Sequence, residues 1–232
     1  MIHATSTTST VTAITSTFSI VAADPQTGIC GAAVASKYPA VGKIVPFVRP
    51  GVGAFCTQSW SNSPWGKTAL DLLESGKLPE EVLGELLRGD DLPQKRQLAI
   101  IDLQGRVANR NPFGVEDTAR WWGAMCGRFY SCQGNTLVGR VVIEVMAKAY
   151  EETQGSLADR LMAALLAGDA VGGDHRGRLA AGIRVARTGT PGNWLELDVD
   201  DSSDAVRELG RLYRDLDHDA KGAWTSDLER HE

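Results

Sequence analysis

Histidine is scarce in this chain and scattered. The four residues, at 3, 175, 218 and 231, include no pair at ligand spacing, so no metal site is expected. Cysteine is equally sparse. Cys30, Cys56, Cys126 and Cys132 form no CxxC, and three lie inside the apolar runs GICGAAVA, VGAFCTQ and WWGAMCG. They read as buried free thiols, ahead of disulfides or zinc ligands. No block of like charge occurs, and the net charge of -5 with a pI near 5.4 offers no cluster of Lys and Arg to neutralise phosphates. Nucleic acid is therefore excluded as the main partner. No run approaches the roughly 18 apolar residues of a membrane span. The N-terminus lacks both the basic residues and the apolar core of about 7–15 residues that mark a secretory signal. A cytoplasmic location is expected, with no membrane partner.

The familiar catalytic signatures are missing as well. There is no GxSxG elbow and no HExxH. WGKT at 65–68 stands where a phosphate-binding loop would, but the glycine that such a loop needs five positions before Gly66 is Ser61. One glycine cannot wrap a triphosphate. No cofactor is expected.

What remains is an ordinary globular composition, 43% hydrophobic and 23% charged over 232 residues, enough for one domain with its own core. The first sixteen residues, MIHATSTTSTVTAITS, form a Ser/Thr-rich ramp. TFSIVAAD, GICGAAVASK, KIVPFV and GVGAFCTQSW follow as strands separated by turn signals. Ser63 is expected to cap a helix with Pro64 at its first position, and Pro79 opens another. RQLAIIDLQGRVA reads as a hairpin turning at Gln104-Gly105, whereas 110–127 has no clear period. Helices are expected at Val138–Thr153 and Ser156–Leu166, the latter with a Ser156/Asp159 capping box. Two strands, LAAGIRVART and NWLELDVD, precede a last amphipathic helix carrying Val206, Leu209, Leu212, Tyr213 and Leu216. This block alternation predicts an α+β fold: a four-layer αββα sandwich of two mainly antiparallel sheets with helices outside. The expected divisions are an extension at 1–16 that is removed or disordered, a single domain at 17–217, and a frayed tail at 218–232.

One position joins the ramp to the first strand. If the chain began at Thr17, its α-amine, with an ordinary pKa of roughly 7.7–8.0, would lie beside its own hydroxyl and could act as its base. The GGDHRGR stretch at 172–178 admits two readings, a charged turn after a helix or an anion site built from arginine forks.

TFSIVAADPQTG, GAAVASK and AVGKIVPFVRPGVGAFCTQ, followed by Asn62, Gly66, Arg96-Gln97, Trp121-x-Gly123, Tyr130-x-x-Gln133-Gly134-Asn135, Gly172-Gly173-Asp174 and Arg176-Gly177-Arg178, resemble the domain of unknown function 1028 family. The likeness runs from about Thr17 to Val199. That family is placed with the N-terminal nucleophile (Ntn) hydrolases and their proteasome-like αββα fold. The resemblance implies an amidohydrolase that cleaves a C–N bond of a small amide, ureido compound or short peptide through a Thr17 acyl-enzyme. Family chains commonly start Met-Thr-Phe-Ser-Ile; here the bond Ser16–Thr17 would first have to be cut, by an aminopeptidase or by attack of Thr17 Oγ on the Ser16 carbonyl.

The remaining roles are those that acyl transfer needs: Lys37 would hold the Thr17 amine neutral, as the buried lysine of proteasome-like enzymes does, and Asn135 would donate to the oxyanion, with Thr57 or Gln58 as second choices. Ser36, Asn62, Gln133, Asp174 and Arg176 complete the expected substrate-binding set. Ala124 and Leu179 stand where many relatives carry histidine and a polar residue, so any role resting there is absent. The alternative is a non-catalytic binding or scaffold protein that keeps the fold and an uncleaved N-terminus. A homo-oligomer, most simply a dimer paired through outer helices, is expected in either case.

Overall fold

The computed structural model describes residues 12–114 and 120–216. The expected tail at 218–232 and the first eleven residues of the ramp lie outside them. Strands β1 (Thr12–Thr15), β2 (Thr17–Asp24), β3 (Ile29–Ser36), β4 (Pro46–Arg49) and β5 (Gly53–Asn62) come first. Helices α1 (Trp65–Glu74) and α2 (Pro79–Leu87), then strands β6 (Arg96–Asp102), β7 (Val107–Arg110), β8 (Trp121–Gly127) and β9 (Tyr130–Leu137), follow. Helices α3 (Val141–Glu152) and α4 (Leu157–Ala170), strands β10 (Ala180–Arg187) and β11 (Leu195–Val199), and helix α5 (Ala205–Asp215) complete the chain.

All strand pairs are antiparallel. A six-stranded sheet has the order β11-β10-β3-β2-β9-β8, and a five-stranded sheet the order β1-β5-β6-β7 with β4 also on β5. The layers follow from side-chain alternation along the strands. Phe18, Ile20 and Ala22 of β2 pack with Val142, Met146, Leu161 and Leu209 of the helices on one outer face. Phe55, Leu98 and Ile100 pack with Leu70, Leu73, Val82 and Leu86 of α1 and α2 on the other. Between the sheets, Val21, Ala32, Val34, Ala54, Cys56, Ala99 and Ile101 meet. This is the expected αββα sandwich, and the small inter-sheet residues explain why GAAVAS carries so little bulk.

Several local expectations need correction. Ser63 does not cap α1: its hydroxyl donates to the Ile44 carbonyl at 3.1 Å, and Pro64 itself is the N-cap residue. The WGKT stretch is the first turn of α1, with Lys67 pairing to Asp71 in solvent. Helix α3 begins at Val141 because the Val138 amide is drawn to the Gly173 carbonyl at 3.1 Å. Helix α4 runs on to Ala170, and its Ser156/Asp159 capping box is present. The 110–127 stretch contains β8, which has a register shift between Trp121 and Gly123. Cys126 is exposed, whereas Cys132 is buried with Cys30 and Cys56. Met125 of the edge strand β8 packs toward the helices, whereas Cys126 takes the opposite face, where its Sγ accepts from Asn109 Nδ2 of β7 at 2.9 Å and remains exposed.

The ramp contributes to the sandwich. Thr12–Thr15 pair with Asn62–Ser59 of β5, and after Ser16 the chain crosses to the other sheet to begin β2 at Thr17.

Candidate functional site

The inter-sheet layer is apolar at one end and polar at the other, and the change occurs along each strand. On β2 the inward positions run Ala23, Val21, then Ser19 and Thr17. On β3 they run Ala32, Val34, then Ser36; on β5 Ala54, Cys56, then Gln58; on β6 Ile101, Ala99, then Gln97. Strand β9 adds Ser131, Gln133 and Asn135. All eight polar side chains are buried. Buried polar groups are costly unless bonded, and most of these form one chain. Ser131 Oγ donates to Gln133 Oε1 (2.9 Å), Gln133 Nε2 to Ser19 Oγ (2.6 Å), and Ser19 Oγ to Gln58 Oε1 (2.6 Å). Gln58 Nε2 and Asn135 Nδ2 both donate to Gln97 Oε1, at 2.9 and 2.8 Å, and Gln97 Nε2 donates to the Gly134 carbonyl at 2.8 Å. The network ties the two sheets together where apolar packing stops.

Thr17 lies at the edge of this network, fully buried, where the chain passes between sheets. Its register partner is Ser36. That pairing brings the Ser36 hydroxyl to the carbonyl of the preceding residue: Ser36 Oγ donates to Ser16 O at 2.5 Å. A second donor, Arg176 Nη2, reaches the same oxygen at 3.4 Å.

Arg176 is held in turn. Asp174, fully buried, accepts Arg176 Nε at 3.1 Å, Nη2 at 2.8 Å and the Arg176 amide at 3.0 Å. This is the bidentate fork that makes an arginine position well defined. Gly172 and Gly173 turn the chain toward this site with φ of 111° and 46°, which L side chains rarely adopt, and a Cβ at Gly173 would meet the Phe18 ring at 2.6 Å. The turn is stitched to the end of β9 by the Val138–Gly173 and His175–Thr136 backbone bonds. Arg178 is not part of it: its guanidinium donates to Asp169 and the Gly172 carbonyl, closing the end of α4.

The expected residues therefore separate into groups. Ser36 and Arg176 donate to the Ser16 carbonyl, Asp174 holds Arg176, and Thr17 follows that carbonyl in the chain. Gln58, Gln133 and Asn135 belong to the inter-sheet network, in which the Asn135 amide expected to serve an oxyanion donates to Gln97 Oε1. Thr57 Oγ1 accepts the Asn62 amide at 3.0 Å, and Asn62 Oδ1 is buried with no bonding partner among the described residues. Lys37 is exposed; its backbone amide reaches Asp174 Oδ2 at 3.4 Å and its side chain runs past the position of Gly177. Ser19, Gln97 and Ser131 were not expected. Their signal is a polar residue at an inward position of an otherwise apolar strand, which is visible only once the inward positions are known. Burial pushes the Cys30 and Cys56 thiols up to about 12 and raises Cys132 well above the usual thiol range, so these three are neutral fillers. No group of three or more His, Cys, Asp or Glu side chains disposed to hold a metal occurs among the described residues.

A family profile described as "Family of unknown function (DUF1028)" matches residues 17–209. The chain belongs to the DUF1028 family. A crystal structure of a Silicibacter pomeroyi protein assigned to DUF1028 superposes on it with a TM-score of 0.77 at 28% identity, covering 86% of this chain and 88% of that one. No curated protein matches. The DUF1028 match begins at Thr17, the first residue of β2, and leaves β1 outside. No helix among the described residues is long and apolar enough to cross a membrane.

Proposed function

We propose that this DUF1028 protein is an N-terminal nucleophile amidohydrolase that makes its own terminus by cutting the Ser16–Thr17 bond. The observation that carries the reading is the pair of donors, Ser36 Oγ and Arg176 Nη2, on the carbonyl oxygen next to a buried threonine. In the first step Thr17 Oγ bonds to the Ser16 carbonyl carbon and the C–N bond to Thr17 breaks. The hydroxyl proton ends on the Thr17 nitrogen. Negative charge that develops on Ser16 O is met by two donors already in place, which is how preorganised sites lower such barriers. Water then hydrolyses the ester, releasing a Ser16 carboxylate and restoring the Thr17 hydroxyl beside the amine freed in the first step.

The amine is what ordinary turnover requires. It takes the Thr17 hydroxyl proton as Oγ attacks an amide carbonyl, passes it to the leaving nitrogen, and activates water against the acyl-enzyme. Asp174 acts through Arg176, fixing its fork beside the carbonyl. Gln58, Gln97, Gln133 and Asn135 hold the two sheets at fixed separation behind Thr17. The substrate is a small amide, ureido compound or short peptide.

The test is the fate of the full-length chain. Purified wild-type protein should lose residues 1–16 and show a new Thr17 terminus, whereas Thr17→Ala should stay full length. Cleavage of Thr17→Ala at the same bond would assign the cut to another protease and remove Thr17 from the chemistry.

A further inference from the structure

Strands β1 and β4 lie end to end on one edge of β5. Residues 53–56 of β5 pair with β4, residues 59–62 pair with β1, and β6 covers the opposite edge from 53 to 59. Loss of the ramp would therefore not merely free an amine. It would open a four-residue length of β5, Ser59–Asn62, as an unpaired edge closed at one end by β4 and running up to Thr17. Unpaired edges bind strands.

The chemistry says what belongs there. Self-cleavage passes through an ester between Thr17 Oγ and the Ser16 carbonyl, with residues 12–15 lying along β5. An intermolecular amide gives the same species: an acyl group esterified to Thr17 Oγ, its carbonyl oxygen facing the same donors. The segment that leaves is therefore the first acyl group that the site handles, and it is held as an extended strand. Resting on the Thr17 reading above, we propose that β1 is a built-in substrate analogue. The slot that it vacates binds the acyl half of a short extended peptide by strand addition to Ser59–Asn62. The residue at the reacting carbonyl must be small, since Ser16 is 4% exposed. Ser36 and Arg176 locate that carbonyl. The preference within the broad class of amides is thus for peptides over compact ureido compounds.

The experiment uses self-processed wild-type protein, freed of its ramp by gel filtration, and a fluorescein-labelled TAITS peptide (residues 12–16) followed by anisotropy. Binding is expected to processed protein and to be at least about tenfold weaker to uncleaved Thr17→Ala, whose own β1 fills the slot. Adjacent amides of a strand point to opposite edges, so N-methylation at Ile14 alone and at Thr15 alone should differ. One should weaken binding by about three- to tenfold, the worth of one ladder hydrogen bond, and the other should do little. Absence of binding, or equal loss from both methylations, overturns the slot while self-cleavage stands. A chain that never processes removes the nucleophile reading, and the slot with it. The parity test needs only processed wild-type protein, so it decides the matter even if Thr17→Ala folds poorly.

Discussion

Replacing Ser36 by alanine is the sharpest perturbation of the proposed self-cleavage. It deletes the donor 2.5 Å from Ser16 O in a place where Ser16, Thr17 and Ser36 are all buried. Removal of one such donor in a water-excluded site costs on the order of 10²–10³ in rate, or about 2.7–4 kcal/mol of barrier. The same hydroxyl oxygen accepts the Tyr38 amide at 2.9 Å, so Ser36→Ala also removes about 1 kcal/mol of stability. The two effects separate by measurement. Cleavage is followed by intact mass against time after synthesis, and stability by urea melts of Ser36→Ala made in the uncleavable Thr17→Ala background. Processing should slow by two orders of magnitude or more while the protein stays folded. Arg176→Gln, losing a longer contact from a side chain 37% exposed, should slow it by only about tenfold. Ser36→Ala that processes at the wild-type rate would refute the assignment of the carbonyl site.

Gln133→Leu should destabilise the fold by about 2–5 kcal/mol, because it strips partners from the buried hydroxyls of Ser19 and Ser131; the urea midpoint should fall with the slope unchanged. Alkylation of native protein at pH 8 should label Cys126 alone, since burial holds Cys30 and Cys56 near 12 and leaves about one part in 10⁴ as thiolate. Four adducts should appear only after denaturation, as read by mass. Asp174→Asn weakens one arm of the fork that locates Arg176, so it should slow processing to about the extent of Arg176→Gln, and the double substitution should add little to either.

The strands that carry branched or alternating apolar residues, such as TFSIVAAD and RQLAIID, were legible because both of their faces are buried. β1 was not. A four-residue edge strand in a Ser/Thr-rich ramp has no pattern of its own, and it forms because Ser59–Asn62 of β5 present an open edge. β8 was obscured by its two adjacent tryptophans and the register shift between Trp121 and Gly123. At the site, Thr17, Asp174 and Arg176 could be named from residue type, spacing and resemblance. Ser36 was named beside them without the role that its position suggests, since its contact with Ser16 O depends on the Thr17–Ser36 register, a property of two strands together. The same limit applies to Lys37. β3 is buried on both faces up to Ser36, its last residue, and Lys37 begins the exposed stretch beyond the strand, so sequence proximity to the site is no guide to which residue enters it.

The measurement that tests the central claim most directly is intact mass with N-terminal sequencing of wild-type and Thr17→Ala protein purified under identical conditions. Wild type should begin at Thr17, Thr17→Ala should retain residues 1–16, and amide hydrolysis should appear only in the processed chain. A wild-type protein that keeps the Ser16–Thr17 bond and still hydrolyses amides would contradict the account.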